Sequence, residues 1–253
     1  MLTEQSLGRL FLATNLVCLL LIGSVLAWFI SLRLPVINSV ADYKPPQATL
    51  IVDRRGEPLD VLAHEFRLVL AYADLPPLLP KAFVAAEDGR FWEHGGVDGW
   101  SIARAAINNI LSRSRSQGGS TITQQVTRAL MLGREKTYSR KLTEAFLSYR
   151  LEKALTKEDI LSIYLNEIYL GEGAYGVEAA ALTYFGKHVG ALDLAEISLL
   201  AGLPQSPSNY SPLKNFQAAK ARQRYVLNRM VEDGIISTEE AHQAYSRELA
   251  LIN

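Results

Sequence analysis

A chain of 253 residues, 49% hydrophobic and 21% charged, can bury a sizeable core as one large domain or two small lobes. Its 26 basic and 26 acidic residues cancel, so composition carries no nucleic-acid signal and any anion binding must come from local clusters. The single cysteine, Cys18, excludes a disulfide within the chain and a thiolate metal site, and its apolar neighbours read as inert packing.

Residues 1–9 form a short tail. Residues 10–32, LFLATNLVCLLLIGSVLAWFISL, contain no charge over 23 positions. At ~1.5 Å per residue this run spans a ~30 Å hydrocarbon core as a transmembrane helix. A cleaved signal peptide is the rival, with Val25-Leu26-Ala27 as its cleavage site, but the run continues through Trp28-Phe29-Ile30 and favours a retained anchor. Arg9 before the run and Arg33 and Lys44 after it leave the orientation nearly undecided. Residues 33–46 read as a stalk bracketed by Pro35 and Pro45-Pro46, and 47–253 as the main domain.

The segments QATLIVD (47–53) and LDVLAHEFRLVL (59–70) flank the turn signal RRGEP and predict a small β-hairpin. From Lys81 onward the pattern is helical, giving a mainly α class with helices near 80–88, 99–112, 120–131, 137–155, 157–170, 173–185, 191–202, 216–233 and 238–248. Thr156-Lys-Glu-Asp159 and Ser237-Thr-Glu-Glu240 read as capping boxes. The three prolines of LPQSPSNYSPL (203–213) predict an ordered loop. GEGAYG (171–176) fits a dinucleotide-loop pattern but follows a helix, not a strand, so a C-cap glycine and an interhelical turn explain it better.

Three clusters can carry chemistry. Glu87 shares a helical stripe with Phe83 and Val84, which desolvates its carboxylate; it is either a functional acid or a helix-end acid paired with Arg90 or Arg104. In GGSTITQQ (118–125) a helix N-terminus capped by Ser120 or Thr121 also suits an anion, and its hydroxyls and amides suit sugar. Lys136, Arg140 and Glu144 fall on one stripe at i, i+4 spacing; with Lys141 and Arg128 they are either a solvated face or a cationic patch fit for a diphosphate. The wide spacing of the four histidines argues against a histidine metal site.

Taken together and in this order, the clusters resemble the family 51 glycosyltransferases, the peptidoglycan glycosyltransferase module of bifunctional penicillin-binding proteins and of monofunctional membrane-anchored enzymes. The family motif E-D-x-x-F-x-x-H-x-G stands here as Glu87-Asp88 through Phe91 and His94 to Gly96, followed by Asp98 and Arg104. G-x-S-T-x-T-Q-Q is Gly118 to Gln125, and R-K-x-x-E is Arg140-Lys141 to Glu144. A fourth motif is Lys157 to Ile160 with Tyr164-Leu165-Asn166, and a fifth is Ala201-Gly202-Leu203-Pro204-Gln205 to Pro212. Arg128-Ala129 replaces the Lys-Asn that is usual after the double glutamine, and Lys136 stands where an arginine is common. No transpeptidase domain follows in this sequence, so penicillin binding is not expected.

The resemblance implies a lysozyme-like, two-lobed helical domain that polymerises lipid II into β-1,4-linked glycan strands. The donor is the growing lipid-linked strand, and undecaprenyl diphosphate leaves with inversion. Glu87 is then the base and Glu144 the second carboxylate, which orients Arg140 or Lys141 or helps hold a divalent cation (Mg or Mn) on the diphosphate. Arg128, Lys136, Arg140 and Lys141 face the leaving group. Asp88, His94, Ser120, Thr121, Thr123, Gln124, Gln125 and Asn166 are the remaining substrate-binding candidates. The implied place is the bacterial cytoplasmic membrane, with a single pass and the catalytic domain on the periplasmic or outer side. Cell-division or elongation proteins are the implied partners. The rivals are a lysozyme-like glycan hydrolase, against which the cationic patch argues because a glycan strand offers no diphosphate, and an inactive cell-wall scaffold.

Overall fold

The computed structural model describes residues 4–31, 45, 49–52, 54, 58–62, 65–101, 103–104, 119–131 and 138–252. The chain divides into two compact units, Met1–Val36 and Ile37–Asn253. The first carries α1, Glu4–Ser31, a helix of 28 residues. Among the described residues no helix is long and apolar enough to cross a membrane.

The second unit opens with the expected hairpin. Strands β1 (Thr49–Val52) and β2 (Pro58–Leu62) pair antiparallel, with a register shift between Ile51 and Val52. Strand β3 (Phe66–Arg67) lies elsewhere, parallel to β5 (Ala174–Tyr175), which pairs antiparallel with β4 (Tyr169–Gly171). The rest is helical: α2 (Leu78–Glu87), α3 (Ile122–Met131), α4 (Tyr138–Ala154), α5 (Lys157–Glu167), α6 (Val177–Phe185), α7 (Leu194–Gly202), the single turn α8 (Pro207–Tyr210), α9 (Phe216–Glu232) and α10 (Thr238–Ser246). The helix expected over 99–112 begins at Gly99, and most of it lies outside the described residues.

Two expectations are corrected. The helix expected to reach Leu170 stops at Glu167, and GEGAYG is the turn of the β4–β5 hairpin, not a simple interhelical turn. Tyr169 and Tyr175 pair across the strands, and Gly176 donates its N–H to the Ile168 carbonyl, which draws the chain out of the helix. Gly176 has φ +80°, and a Cβ there would lie 2.7 Å from the Asn166 carbonyl oxygen, so the glycine is fixed by backbone against backbone.

The helices pack in two groups. In one, α2, α7 and α9 lie against one another; in the other, α3 packs on α4 and α5. Helix α2 is apolar nearly all round: Leu79, Ala82, Phe83, Val84, Ala85 and Ala86 are buried, as a helix enclosed by neighbours must be. Burying Phe83, which meets Tyr164 of α5 edge-on at 6.2 Å, contributes about 1.5–3 kcal/mol. Pro80 is tolerated because the first turn has no intrahelical use for its missing N–H. Capping boxes at Thr156/Asp159 and Ser237/Glu240 form as the spacing predicts, and a third forms at Asp193/Glu196. The C-terminal end of α2 meets the N-terminal end of α3, and the functional clusters gather there.

Candidate active site

Glu87 is the last residue of α2. Helix α2 stops here because Asp88 is committed to other partners. Its carboxylate accepts the Ile122 N–H at 2.9 Å, capping α3 from outside, and accepts from His94 Nε2 at 2.9 Å. His94 Nδ1 accepts from the Gly96 N–H at 3.1 Å, so the ring proton sits on Nε2 and points at Asp88. Gly96 has φ +97°, and a Cβ there would stand 2.7 Å from the Ser148 carbonyl, so α4 packs directly on this turn. Asp88 and His94 therefore build the bend that carries Glu87.

The same economy governs 120–125. Thr121 Oγ1 accepts from the Gln124 N–H at 3.1 Å, and Gln124 Oε1 accepts from the Thr121 N–H at 3.0 Å, a reciprocal cap. Thr121 Oγ1 also donates to the Gly96 carbonyl at 2.6 Å. With the Ile122 N–H held by Asp88, the amides expected to attract a phosphate are occupied by side chains of the protein. Thr123 is buried and donates to Glu152 at 2.6 Å; Lys157 bridges Glu152 (2.7 Å) and the His94 carbonyl (2.6 Å). Asn166, expected at the substrate, is buried: its amide oxygen accepts the Leu70 N–H and its amide nitrogen donates to the Leu70 and Ser162 carbonyls. These side chains are spent on holding the site together.

Gln125 is different. Its Nε2 donates to Glu87 Oε2 at 3.1 Å. Among the described residues, the cation paired with Glu87 is neither of those expected. Arg90 turns away to Glu93 (2.9 Å) and Asp98 (3.3 Å), and Arg222 of α9 stands 3.7 Å from Glu87 Oε1. The Glu87 side chain is 12% exposed. Burial pushes its carboxyl above the ordinary glutamate range, the Gln125 bond and the Arg222 charge pull it back, and the Asp88 charge adds to the rise. Tyr164, buried and charge-coupled to Glu87, Asp88 and Arg128, has its hydroxyl raised well above the usual tyrosine range by burial first and the two carboxylates second. It stays neutral, and its hydroxyl has no hydrogen-bond partner among the described residues.

Glu144 sits wholly buried in α4, with Arg140 Nη1 3.1 Å from one oxygen and Lys141 Nζ against the other. Lys141 also donates to Ser120 Oγ at 2.9 Å, joining this cluster to the start of α3. Arg128 is exposed on α3, and Lys136 lies outside the described residues. Among the described residues no group of three or more His, Cys, Asp or Glu is placed to hold a metal ion. The expected divalent cation does not fit Glu144, since both its oxygens already face cations. Arg222 and Tyr164 had no assigned role in the sequence, because the packing that brings them to Glu87 leaves no local spacing to read.

The helical domain thus holds one carboxylate beside an amide and a more distant guanidinium, and another paired with two cations. The chain belongs to the transglycosylase family, which matches residues 55–231. Penicillin-binding protein 1A of Neisseria flavescens is 44% identical over 217 residues, covering 86% of this chain and 27% of that protein. Penicillin-binding protein 1A of Aquifex aeolicus is 42% identical over 240 residues, covering 91% of this chain and 33% of that protein. The chain thus spans about a quarter to a third of these relatives. The crystal structure of penicillin-binding protein 1A from Haemophilus influenzae is similar with a TM-score of 0.49 and 25% identity, over 83% of this chain and 22% of that one.

Proposed function

We propose that the chain is a peptidoglycan glycosyltransferase that joins lipid II units into β-1,4-linked glycan strands. The observation that carries this reading is Glu87: a buried carboxylate, held by an amide and not clamped by a close cation, with its proton affinity raised towards the value a base needs near neutral pH. Glu87 takes the proton from the 4-hydroxyl of the incoming unit. The new C–O bond forms at the donor's anomeric carbon as the bond to diphosphate breaks, and the electron pair leaves on the diphosphate. Glu87 then returns its proton to solvent. One displacement inverts the anomeric centre, in contrast to a retaining hydrolase with its second, attacking carboxylate.

The leaving group needs cations more than a proton. Arg140, Lys141, Arg128 and Lys136 supply them, and Glu144 is a positioning residue that orients the first two. A divalent cation at the diphosphate would be held by the substrate's own oxygens, and no step above passes through it. The lysozyme-like, two-lobed form remains part of the proposal, as do residues 10–32 as a single-pass anchor in the cytoplasmic membrane, the outer-side placement of the domain and recruitment by cell-division or elongation proteins. An anchor raises the effective concentration of an enzyme whose substrates are both tethered to lipid.

Two incubations test the reading. With labelled lipid-linked precursor the native protein is expected to yield polymer; with finished cell wall it is expected to release nothing. Release of muropeptides without polymer would overturn the assignment in favour of a hydrolase.

A further inference from the structure

Arg222 lies outside the three chemical clusters, yet its guanidinium is the charge that faces Glu87 from α9. Its Nη2 is 3.7 Å from Glu87 Oε1, and the two side chains are equally buried, each 12% exposed. At this depth an arginine is costly unless it is paired and fixed. It is fixed: Nε donates to the Gly202 carbonyl at 3.3 Å, and the guanidinium carbon lies 4.1 Å from the Tyr225 ring centroid. The planar fork serves both ends at once, which an ammonium cannot do.

Gly202 makes the room. It ends α7 with an ordinary backbone, so a left-handed φ is not why it is glycine. A Cβ there would stand 2.9 Å from Arg222 Cγ and 3.5 Å from Arg222 Cβ and its carbonyl carbon. An added methyl would have to displace the stem of the arginine from the path to Glu87.

We propose that Arg222, seated through the gap at Gly202, is a positioning residue that keeps Glu87 ionised and ready to accept a proton. This rests on Glu87 being the base. The other groups facing Glu87 work differently. Gln125 from α3 donates a neutral hydrogen bond. Arg128 from α3 is exposed and acts on Tyr164. Tyr164 from α5 is neutral, and the adjacent Asp88 opposes ionisation. Arg229, also on α9, is spent on Glu232 (2.5 Å), Asp233 (3.2 Å) and the Ala85 carbonyl (3.4 Å). On α7, Glu196 is paired with Lys187 at 2.5 Å. Among the described residues, Arg222 is thus the cation that offsets burial at the base.

The sign follows directly. A base works only when ionised, so activity falls as pH drops through the Glu87 pKa. Without the Arg222 charge that pKa rises, and the acid limb of kcat/KM moves to higher pH. One pH unit of displacement is a tenfold loss on that limb. For Arg222→Gln we expect about a tenfold loss on the acid limb that shrinks as pH increases. Arg222→Lys keeps the charge and stays nearer the native limb. Gly202→Ala, with the arginine present but displaced, reproduces the shift.

The experiment is the initial rate of polymer formation by the full chain from labelled lipid-linked precursor across the acid and alkaline range, with thermal melts to confirm folding. A folded Arg222→Gln protein with the native limb, or with the same loss at every pH, overturns the proposal. Should that variant fail to fold, a native limb in Gly202→Ala overturns it equally. Glu87→Gln separates the two readings: polymer from that variant removes the base and this proposal together, whereas an inactive Glu87→Gln beside an unshifted Arg222→Gln removes only the role of Arg222.

Discussion

Glu144 is fully buried and Glu87 nearly so, and their surroundings make them opposites. Glu144 is clamped by Arg140 and Lys141, with a cation against each oxygen. Glu87 has an amide at hydrogen-bond distance and a guanidinium beyond it, and burial leaves its proton affinity raised. One residue type thus yields one carboxylate that arranges cations and another whose proton affinity burial raises. The difference lies in the distance and number of the opposing charges.

This contrast can be broken by substitution. The largest expected effect is on chemistry at Glu87: Glu87→Gln should lower kcat by about 10²–10⁴-fold, the contribution of a positioned general base, while its melting curve shows a folded protein. At Glu144 the weight moves to the fold. Glu144→Ala removes the buried partner shared by Arg140 and the half-exposed Lys141 and should cost about 1–3 kcal/mol in denaturant unfolding, with activity falling alongside it. If Glu144→Ala were as stable as the native protein, the clamp would be a surface pair after all.

Smaller effects sharpen the boundary between scaffold and site. Asn166→Ala removes the partner of the Leu70 N–H and carbonyl and should cost about 1–3 kcal/mol for buried groups left unmatched; in the fraction that stays folded, KM should be unchanged. Arg128→Ala, at an exposed position, should leave stability within ~0.5 kcal/mol and slow turnover. A rise in KM with no change in kcat would instead make Arg128 a uniform binder of substrate.

The parts of this molecule that are local in sequence were legible in it. Helix starts at Thr156 and Ser237 announce themselves because a capping box spans three residues, and the β1–β2 hairpin because its turn lies between its strands. Glu87 stood out as an acid on the apolar stripe of α2. The β4–β5 hairpin did not, because Ile168 and Tyr169 continue the helical periodicity of α5, and only the pairing of Tyr169 with Tyr175 decides against it. The division of labour was hidden too. The family pattern groups Thr121, Thr123, Gln124, Gln125 and Asn166 as polar candidates, but only contacts across the fold show Gln125 on the carboxylate and Asn166 holding Leu70. Arg222 reaches Glu87 because α9 packs on α2, and no spacing within α9 states that.

The central claim is that Glu87 is the base of a polymerising transferase. The most direct measurement is a gel of glycan products from labelled lipid-linked precursor, with native protein and Glu87→Gln side by side at equal folded concentration. Polymer from the native chain and none from the variant is the expected result. Robust polymer from Glu87→Gln would contradict the claim.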